Sequence, residues 1–227
     1  MGQGRDESRA PVEIGMTDVG ARLERMRATL RREASAIEEL AAGLDESAAA
    51  AVDMLLETRG HVLVGGAGTS NAIAWRFAHL LSCCGVPALF LDPAEAVHGG
   101  SGAVRSEDTV VLVSRDGQSS EVNAYAAIAR QRCAKVMAVT AAPESELGRL
   151  ADAVIRVRVP PGSDPFDMIA TSSSLACGAV ADAICETVLV ERNYPRDAFA
   201  ATHPAGGVGE RIRREHLAGA DDSHAIR

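Results

Sequence analysis

Short apolar runs alternate with longer amphipathic segments through the middle of the chain. The runs consist almost entirely of Val, Leu, Ile, Met and Ala, which is typical of strands buried on both faces of a sheet. They cover residues 61–64, 87–91, 109–113, 135–139 and 153–157. Because parallel strands need crossover segments between them, this alternation predicts an α/β fold with a parallel sheet and helices on both faces.

The segments between and after these runs carry apolar residues at helical spacing. They predict helices at 70–84, 119–132, 145–150 and 171–192. Two more helices are expected ahead of the sheet, at 17–42 and 45–58. These two either form an arm or a dimer-forming hairpin, or cover one face of the sheet, and the sequence leaves both alternatives open.

The ends of the chain are polar. The N-terminal segment contains Gly and Pro, and we expect it to be disordered, whereas the C-terminal residues from about 214 are expected to form a loose tail. The predicted organisation is a disordered segment, a helical arm, an α/β domain and a polar tail, at 1–16, 17–59, 60–212 and 213–227.

Composition narrows the possible functions. Hydrophobic residues make up 47% of the chain and aromatic residues 3%, so the expected core is aliphatic. The net charge of −8 argues against a nucleic-acid partner. We expect no apolar run to be long enough to span a membrane, and the 5 cysteines lack zinc-site spacing, so neither a membrane nor a metal is expected. An odd cysteine count without an apolar leader predicts a cytoplasmic protein.

Glycine- and serine-rich loops follow the first and third predicted strands. Loops of this kind that open helices bind phosphate through backbone amides and hydroxyl groups. The candidate ligand-binding residues in them are Gly68, Thr69, Ser70, Ser114, Gly117, Gln118, Ser119 and Ser120. A dinucleotide loop is the weaker alternative for the first loop, since Asn71 occupies the place of the final glycine. For the second loop, the alternative is an ordinary helix cap by Ser119.

Proton-transfer groups accompany these loops. Glu121 lies in the first turn of the helix after the second loop, where a carboxylate can move a proton between adjacent sugar carbons. His203 lies in a stiff turn with Pro204 and two glycines, and His98 precedes two glycines after the second strand. Either histidine could instead have a purely structural role. At the start of the last long helix, Ser172 and Ser173 cap the helix or contact a ligand.

These stretches together resemble a sugar isomerase (SIS) domain over residues 60–212, and more narrowly the arabinose-5-phosphate isomerase family. The matching segments are 66–68, 93–99, 117–121, 143–145, 171–173 and 199–207. The resemblance implies a flavodoxin-like three-layer sandwich and a reversible aldose–ketose isomerisation of a pentose 5-phosphate without a cofactor. It further implies that Glu121 shuttles the proton through an enediol, that His203 assists, and that His98 lines the site. Family members are commonly tetramers with shared sites, so we expect a homo-oligomer, a dimer or a tetramer.

The chain departs from the family pattern at several positions. Thr69 replaces a usual lysine, Asp116 a usual serine, Gly162 an acidic residue and Ala205 a glycine. Few residues follow Ile212, so the family's regulatory CBS domains are not expected. Two alternatives therefore stay open beside the isomerase: a non-catalytic module that binds a phosphosugar, and an isomerase of another sugar phosphate such as a hexulose 6-phosphate.

Overall fold

A single parallel sheet forms the centre of the protein in the computed structural model, which describes residues 19–222. Its five strands are β1 (Val62–Gly66), β2 (Ala88–Phe90), β3 (Thr109–Val113), β4 (Lys135–Thr140) and β5 (Ala153–Arg156). Each pair of neighbours is parallel, and the order is β2-β1-β3-β4-β5. The predicted α/β class is confirmed, because all five apolar runs form strands of this sheet.

Helices precede, connect and follow the strands. They are α1 (Val19–Ala42), α2 (Glu46–Glu57), α3 (Thr69–Cys83), α4 (Pro93–Val97), α5 (Ser120–Gln131), α6 (Glu146–Leu150), α7 (Ser172–Glu191), α8 (Arg196–Thr202) and α9 (Gly207–Asp222). The six helices expected from the sequence are all present, whereas α4, α8 and α9 were not predicted. The expectation of a loose tail from about residue 214 is wrong as far as Asp222, because α9 continues to that residue. The expected disorder of residues 1–16 lies outside the described residues.

Successive residues of the strands belong to two separate hydrophobic cores, one on each face of the sheet. Val111 and Val113 point into a core shared with α2, α3 and α7. Val110 and Leu112 point into the opposite core, which α4 and α5 cover with Leu147 of α6. Because a strand turns successive side chains to opposite faces, a near-continuous apolar run is what a sheet covered on both sides requires.

The sequence left open whether the two N-terminal helices form an arm or cover the sheet, and the structure shows their packing. Helix α2 packs against β5 and α7, so it covers the sheet. Helix α1 contacts α7, and its buried residues are Ala36 and Leu40. Its N-terminal half exposes an apolar stripe made of Val19, Leu23, Met26 and Leu30. One helix therefore covers the sheet and the other is partly an arm.

Helix α7 is the one helix of the described chain that is long and apolar enough to cross a membrane. This corrects the expectation that no segment reaches that length. In this fold half of its apolar window is buried, and it packs against α1, α2 and α3. A buried core helix has the same composition as a membrane span, since both are apolar on most sides.

The strand order reverses direction between β1 and β3. In open α/β sheets, ligands bind in the crevice at the carboxyl ends of the strands where the order reverses. The two glycine- and serine-rich loops leave these two strands, so the fold brings them side by side at this crevice.

Candidate functional site

The first loop turns sharply between β1 and α3. Gly68 has φ 58° and ψ −128°, a conformation that a residue with a side chain rarely adopts. Gly66 lies so close to the carbonyl oxygen of Ser70 that a Cβ at residue 66 would be 2.7 Å from it. The turn starts α3 at Thr69, and the amides of Ser70 and Asn71 donate back to the loop carbonyls of Ala67 and Gly68, which closes the turn.

The second loop places two hydroxyl groups next to each other. Ser114 is buried at the end of β3, and its Oγ lies 3.5 Å from Oγ of Ser119. Ser119 directly precedes α5 at the cap position, yet its side chain makes no capping hydrogen bond. The ordinary helix cap considered from the sequence is therefore wrong. Gly117 has φ 62°, and a Cβ there would collide with Oγ of Ser145, so the turn is closed tightly over α6.

Glu121 and His98 lie on neighbouring helices. Glu121 is half-buried in the first turn of α5, and its Oε2 accepts a hydrogen bond from Oγ of Ser120 at 3.2 Å. His98 is exposed and ends α4, which packs against α5. Gln118, between the loop and the helix, is also exposed.

The start of α7 forms another wall of the crevice. The hydroxyl of Ser172 donates to the carbonyl of Ser163 at 2.9 Å, and the hydroxyl of Ser173 donates to Oδ2 of Asp164. The two predicted binding hydroxyls thus hold the preceding segment against α7. The hydroxyl of Thr171 is enclosed and has no hydrogen-bond partner in the part of the chain that the structure describes.

Arg115 carries positive charge into this crevice, and sequence reasoning did not place it there. Its Nη1 lies 3.3 Å from Oδ2 of Asp164, and its Nε lies 3.1 Å from Oδ1 of Asp116. Burial by itself raises the pKa of Asp164. Hydrogen bonds from Ser173 and Thr171, together with the charge of Arg115, outweigh that effect and hold the pKa below its usual value. Asp164 is therefore a carboxylate at neutral pH.

These elements enclose a cleft with an empty volume of about 240 Å³, part of it open to solvent. It is lined by Thr69, Ser70, Ile73, Arg115, Ala170, Ser173, Ser174 and Cys177. A larger cleft, with an empty volume of about 950 Å³, lies at the opposite edge of the sheet, where Thr109 and Lys135 begin β3 and β4. We take the smaller cleft as the candidate site because it lies at the carboxyl ends of β1 and β3.

His203 lies at the far end of α3 from this cleft. It ends α8, as the predicted turn requires, and its ring stacks on Phe199 with the centroids 3.8 Å apart. Its Nδ1 lies 2.9 Å from the carbonyl of Phe199, and its Nε2 lies 3.4 Å from Sγ of Cys83. Cys83 is the last residue of α3 and Thr69 the first, so the helix separates them by about 21 Å at 1.5 Å per residue. One chain therefore does not bring His203 and Glu121 together.

No group of three or more His, Cys, Asp or Glu side chains suited to a metal ion occurs between residues 19 and 215. The cleft offers hydroxyl groups and one guanidinium. This donor set suits an anion such as a phosphate ester. Glu121, in the first turn of α5, and His98 are not among the residues that line this cleft.

Solved structures with this fold include proteins connected with phosphosugars. A candidate sugar-phosphate isomerase from Listeria monocytogenes is 33% identical, with a TM-score of 0.80 over 84% of this chain and 100% of that one. An Escherichia coli CFT073 protein in complex with a sugar phosphate is 24% identical, with a TM-score of 0.79 over 82% of this chain and 100% of that one. At 24% identity, the similarity to the Escherichia coli protein shows only that the two proteins share a fold.

Curated relatives share the resemblance seen in the sequence. Arabinose 5-phosphate isomerase GutQ of Escherichia coli K12 is 32% identical over 199 residues, or 87% of this chain and 62% of that protein. Arabinose 5-phosphate isomerase KdsD of the same strain is 30% identical over 180 residues, which are 79% of this chain and 55% of that protein. The chain thus spans little more than half the length of these relatives. The family model of the SIS domain matches residues 54–186, more than half of the sequence, and the chain belongs to the SIS domain family.

Proposed function

We propose that this protein is an aldose–ketose isomerase of a sugar phosphate, with arabinose 5-phosphate and its ketose partner as the first substrates to test. The observation that carries the proposal is the position of Glu121. It is in the first turn of α5, directly after the paired hydroxyls of Ser114 and Ser119. A phosphate ester held by those hydroxyls brings its sugar carbons towards this carboxylate.

The chemistry follows from these groups. The amides and hydroxyls of both loops bind the phosphate, with Gly68 and Gly117 giving the backbone its close approach. The carboxylate of Glu121 removes the proton from C2 of the aldose, and the electrons form an enediol with the C1 carbonyl, whose oxygen gains a proton. Return of the proton to C1, with loss of the proton from the C2 hydroxyl, gives the ketose. No cofactor is needed, because no electron leaves the sugar.

His203 is the proposed partner in this proton transfer, and it acts from a neighbouring subunit. Within one chain it lies at the opposite end of α3 from the cleft. The cleft of a single chain has room for only about 20 Å³, far below the 300–1,000 Å³ that is usual for ligand pockets. A homo-oligomer in which one subunit supplies Glu121 and another supplies His203 satisfies both observations. Free thiols at all five cysteines fit a cytoplasmic location, which we include in the proposal.

Deuterium exchange tests the reaction. Wild-type protein in heavy water should introduce deuterium into arabinose 5-phosphate, measured by NMR, and Glu121→Gln should abolish the exchange while the protein stays folded. Glu146→Gln is the matched control, because Glu146 lies in the first turn of α6 and is exposed. Full exchange by the Glu121 variant would refute the assignment of the base.

Mixing two inactive variants tests the shared site. Chains carrying E121Q or H203Q are unfolded together and refolded as a mixture. If each site takes the two groups from different subunits, about one quarter of the sites contain both groups, and about one quarter of wild-type activity returns. If both groups belong to the same subunit, the mixture stays inactive.

A non-catalytic phosphosugar module remains the second candidate because of Asp116. This carboxylate is at the mouth of the site and is 70% exposed, where it repels an incoming phosphate. Thermal stabilisation by sugar phosphates without any deuterium exchange would favour the module. The same measurement with hexulose 6-phosphates distinguishes the remaining substrate alternative.

A further inference from the structure

Arg115 is held in an unusual way for a residue at the mouth of a cleft. Its guanidinium contacts two carboxylates, one on either side, and it is itself 42% exposed. We propose that Arg115 binds the phosphate of the substrate by exchanging its ion pair with Asp116 for the ligand, while Asp164 keeps the guanidinium in place. The identity of the ligand rests on the proposed function.

The first argument is that Arg115 is the one cation among the described residues that line the cleft. The other lining residues are hydroxyl-bearing or apolar. The first loop contributes Thr69 and Ser70, which have no charge. A phosphate dianion binds most strongly to a guanidinium, because two parallel N–H groups match two phosphate oxygens. Neutral hydroxyls and amides then complete the binding site around that contact.

The second argument is that the two carboxylates hold Arg115 with unequal firmness. The side chain of Asp164 is 4% exposed and accepts further hydrogen bonds from Thr171 and Ser173. The side chain of Asp116 is 70% exposed, and its pair with Arg115 joins adjacent residues. Exposed ion pairs contribute little free energy, so a ligand can displace Asp116 at small cost. Asp164 cannot leave, because its remaining contacts are buried.

The third argument concerns the hydrogen-bond donors of Arg115. Nε donates to Asp116 and Nη1 donates to Asp164. Nη2 makes no hydrogen bond to any residue that the structure describes. Release of Asp116 therefore leaves Nε and Nη2 together, and these two atoms form the edge of the guanidinium that binds an oxyanion through two hydrogen bonds.

Four variants test the proposal by calorimetric titration with arabinose 5-phosphate, inorganic phosphate and unphosphorylated arabinose. Arg115→Gln should weaken binding of both phosphate compounds at least tenfold, and Arg115→Lys should weaken it less. Asp116→Asn should tighten binding several-fold, because the competing carboxylate is gone while Arg115 and Asp164 remain. Arg130→Gln is the matched control, since Arg130 is 45% exposed and pairs with Asp152 on the surface; it should bind like wild type. Thermal unfolding of each variant confirms that it is folded.

The outcomes separate this proposal from the reaction. Equal affinities of the Arg115→Gln and Arg130→Gln variants, weaker binding by Asp116→Asn, or a wild-type protein that binds neither phosphate compound would each overturn the role of Arg115. Phosphate binding that depends on Arg115 without deuterium exchange in the wild type would support that role and refute the isomerase. Unphosphorylated arabinose has no phosphate for Arg115 to bind, so wild-type protein should bind arabinose no more tightly than Arg115→Gln does.

Discussion

Truncation of Asp164 to alanine should destabilise the protein far more than its charge alone suggests. The carboxylate accepts hydrogen bonds from the amide and hydroxyl of Ser173 and the amide of Thr171, and it pairs with Arg115. Asp164→Ala leaves the buried amide and hydroxyl of Ser173 without their acceptor, whereas the amide of Thr171 keeps its bond to the carbonyl of Ile169. It also frees the segment before α7 from the helix.

The magnitude follows from the burial of the carboxylate. Each buried donor that loses its acceptor costs about 1–3 kcal/mol, so the two donors of Ser173 together should cost about 2–5 kcal/mol. At roughly 2–4 °C per kcal/mol for a chain of this size, the unfolding temperature should fall by about 10 °C. Asp116→Ala removes the other carboxylate of Arg115, but that side chain is 70% exposed, so the cost should stay below about 1 kcal/mol.

Urea unfolding followed by circular dichroism measures both variants. The protein concentration is kept constant, because association of subunits would add to the apparent stability. We expect the Asp164 variant to lose several times more free energy of unfolding than the Asp116 variant. Equal losses, or a loss below about 1 kcal/mol for Asp164→Ala, would show that the buried hydrogen bonds do not hold the segment.

Three other predictions concern pH, backbone and thiols. Because folding lowers the pKa of Asp164, its ionised carboxylate stabilises the fold above the unfolded pKa of about 3.9, and this contribution is lost as the pH falls through the lower folded pKa. The free energies of unfolding of wild type and Asp164→Asn should therefore converge when urea titrations move from pH 5 to pH 2. Gly117→Ala should reduce phosphate affinity in calorimetry, because its Cβ would collide with Ser145. Iodoacetamide at pH 8 should label exposed Cys133 before Cys177, whose pKa burial raises to about 11; mass spectrometry measures the order, and equal rates would contradict it.

The sheet was predictable because its strands are buried on both faces. Such strands must be apolar at nearly every position, so the runs stand out without any knowledge of their partners. Helix α9 was missed because its sequence is mostly polar. It is supported by ion pairs four residues apart, from Arg214 to Glu210 and from Arg211 to Glu215, and by the buried side chain of Ile212. That charge spacing was visible in the sequence and could have predicted the helix.

The site was predictable only as far as local sequence determines it. The two loops follow strands directly, so their place at the carboxyl edge follows from the parallel sheet. The direction of Arg115 depends on Asp164, which is 49 residues away in a segment without regular structure. No periodic pattern places that segment, because its conformation is set by hydrogen bonds to the start of α7. Contacts of this kind appear only when the fold is known.

Helix α3 explains why His203 and its turn do not lie at the cleft. Its first residue, Thr69, belongs to the cleft, and its last residue, Cys83, contacts His203. A rigid helix keeps those two contacts about 21 Å apart whatever the side chains do. Motion within one chain would have to break the stacking of His203 on Phe199 and the packing of α8 on α9 to close that distance. Association of chains needs no such change, since it only has to bring the His203 end of one α3 to the cleft of another. The oligomer is therefore the simpler requirement for a site that uses both residues.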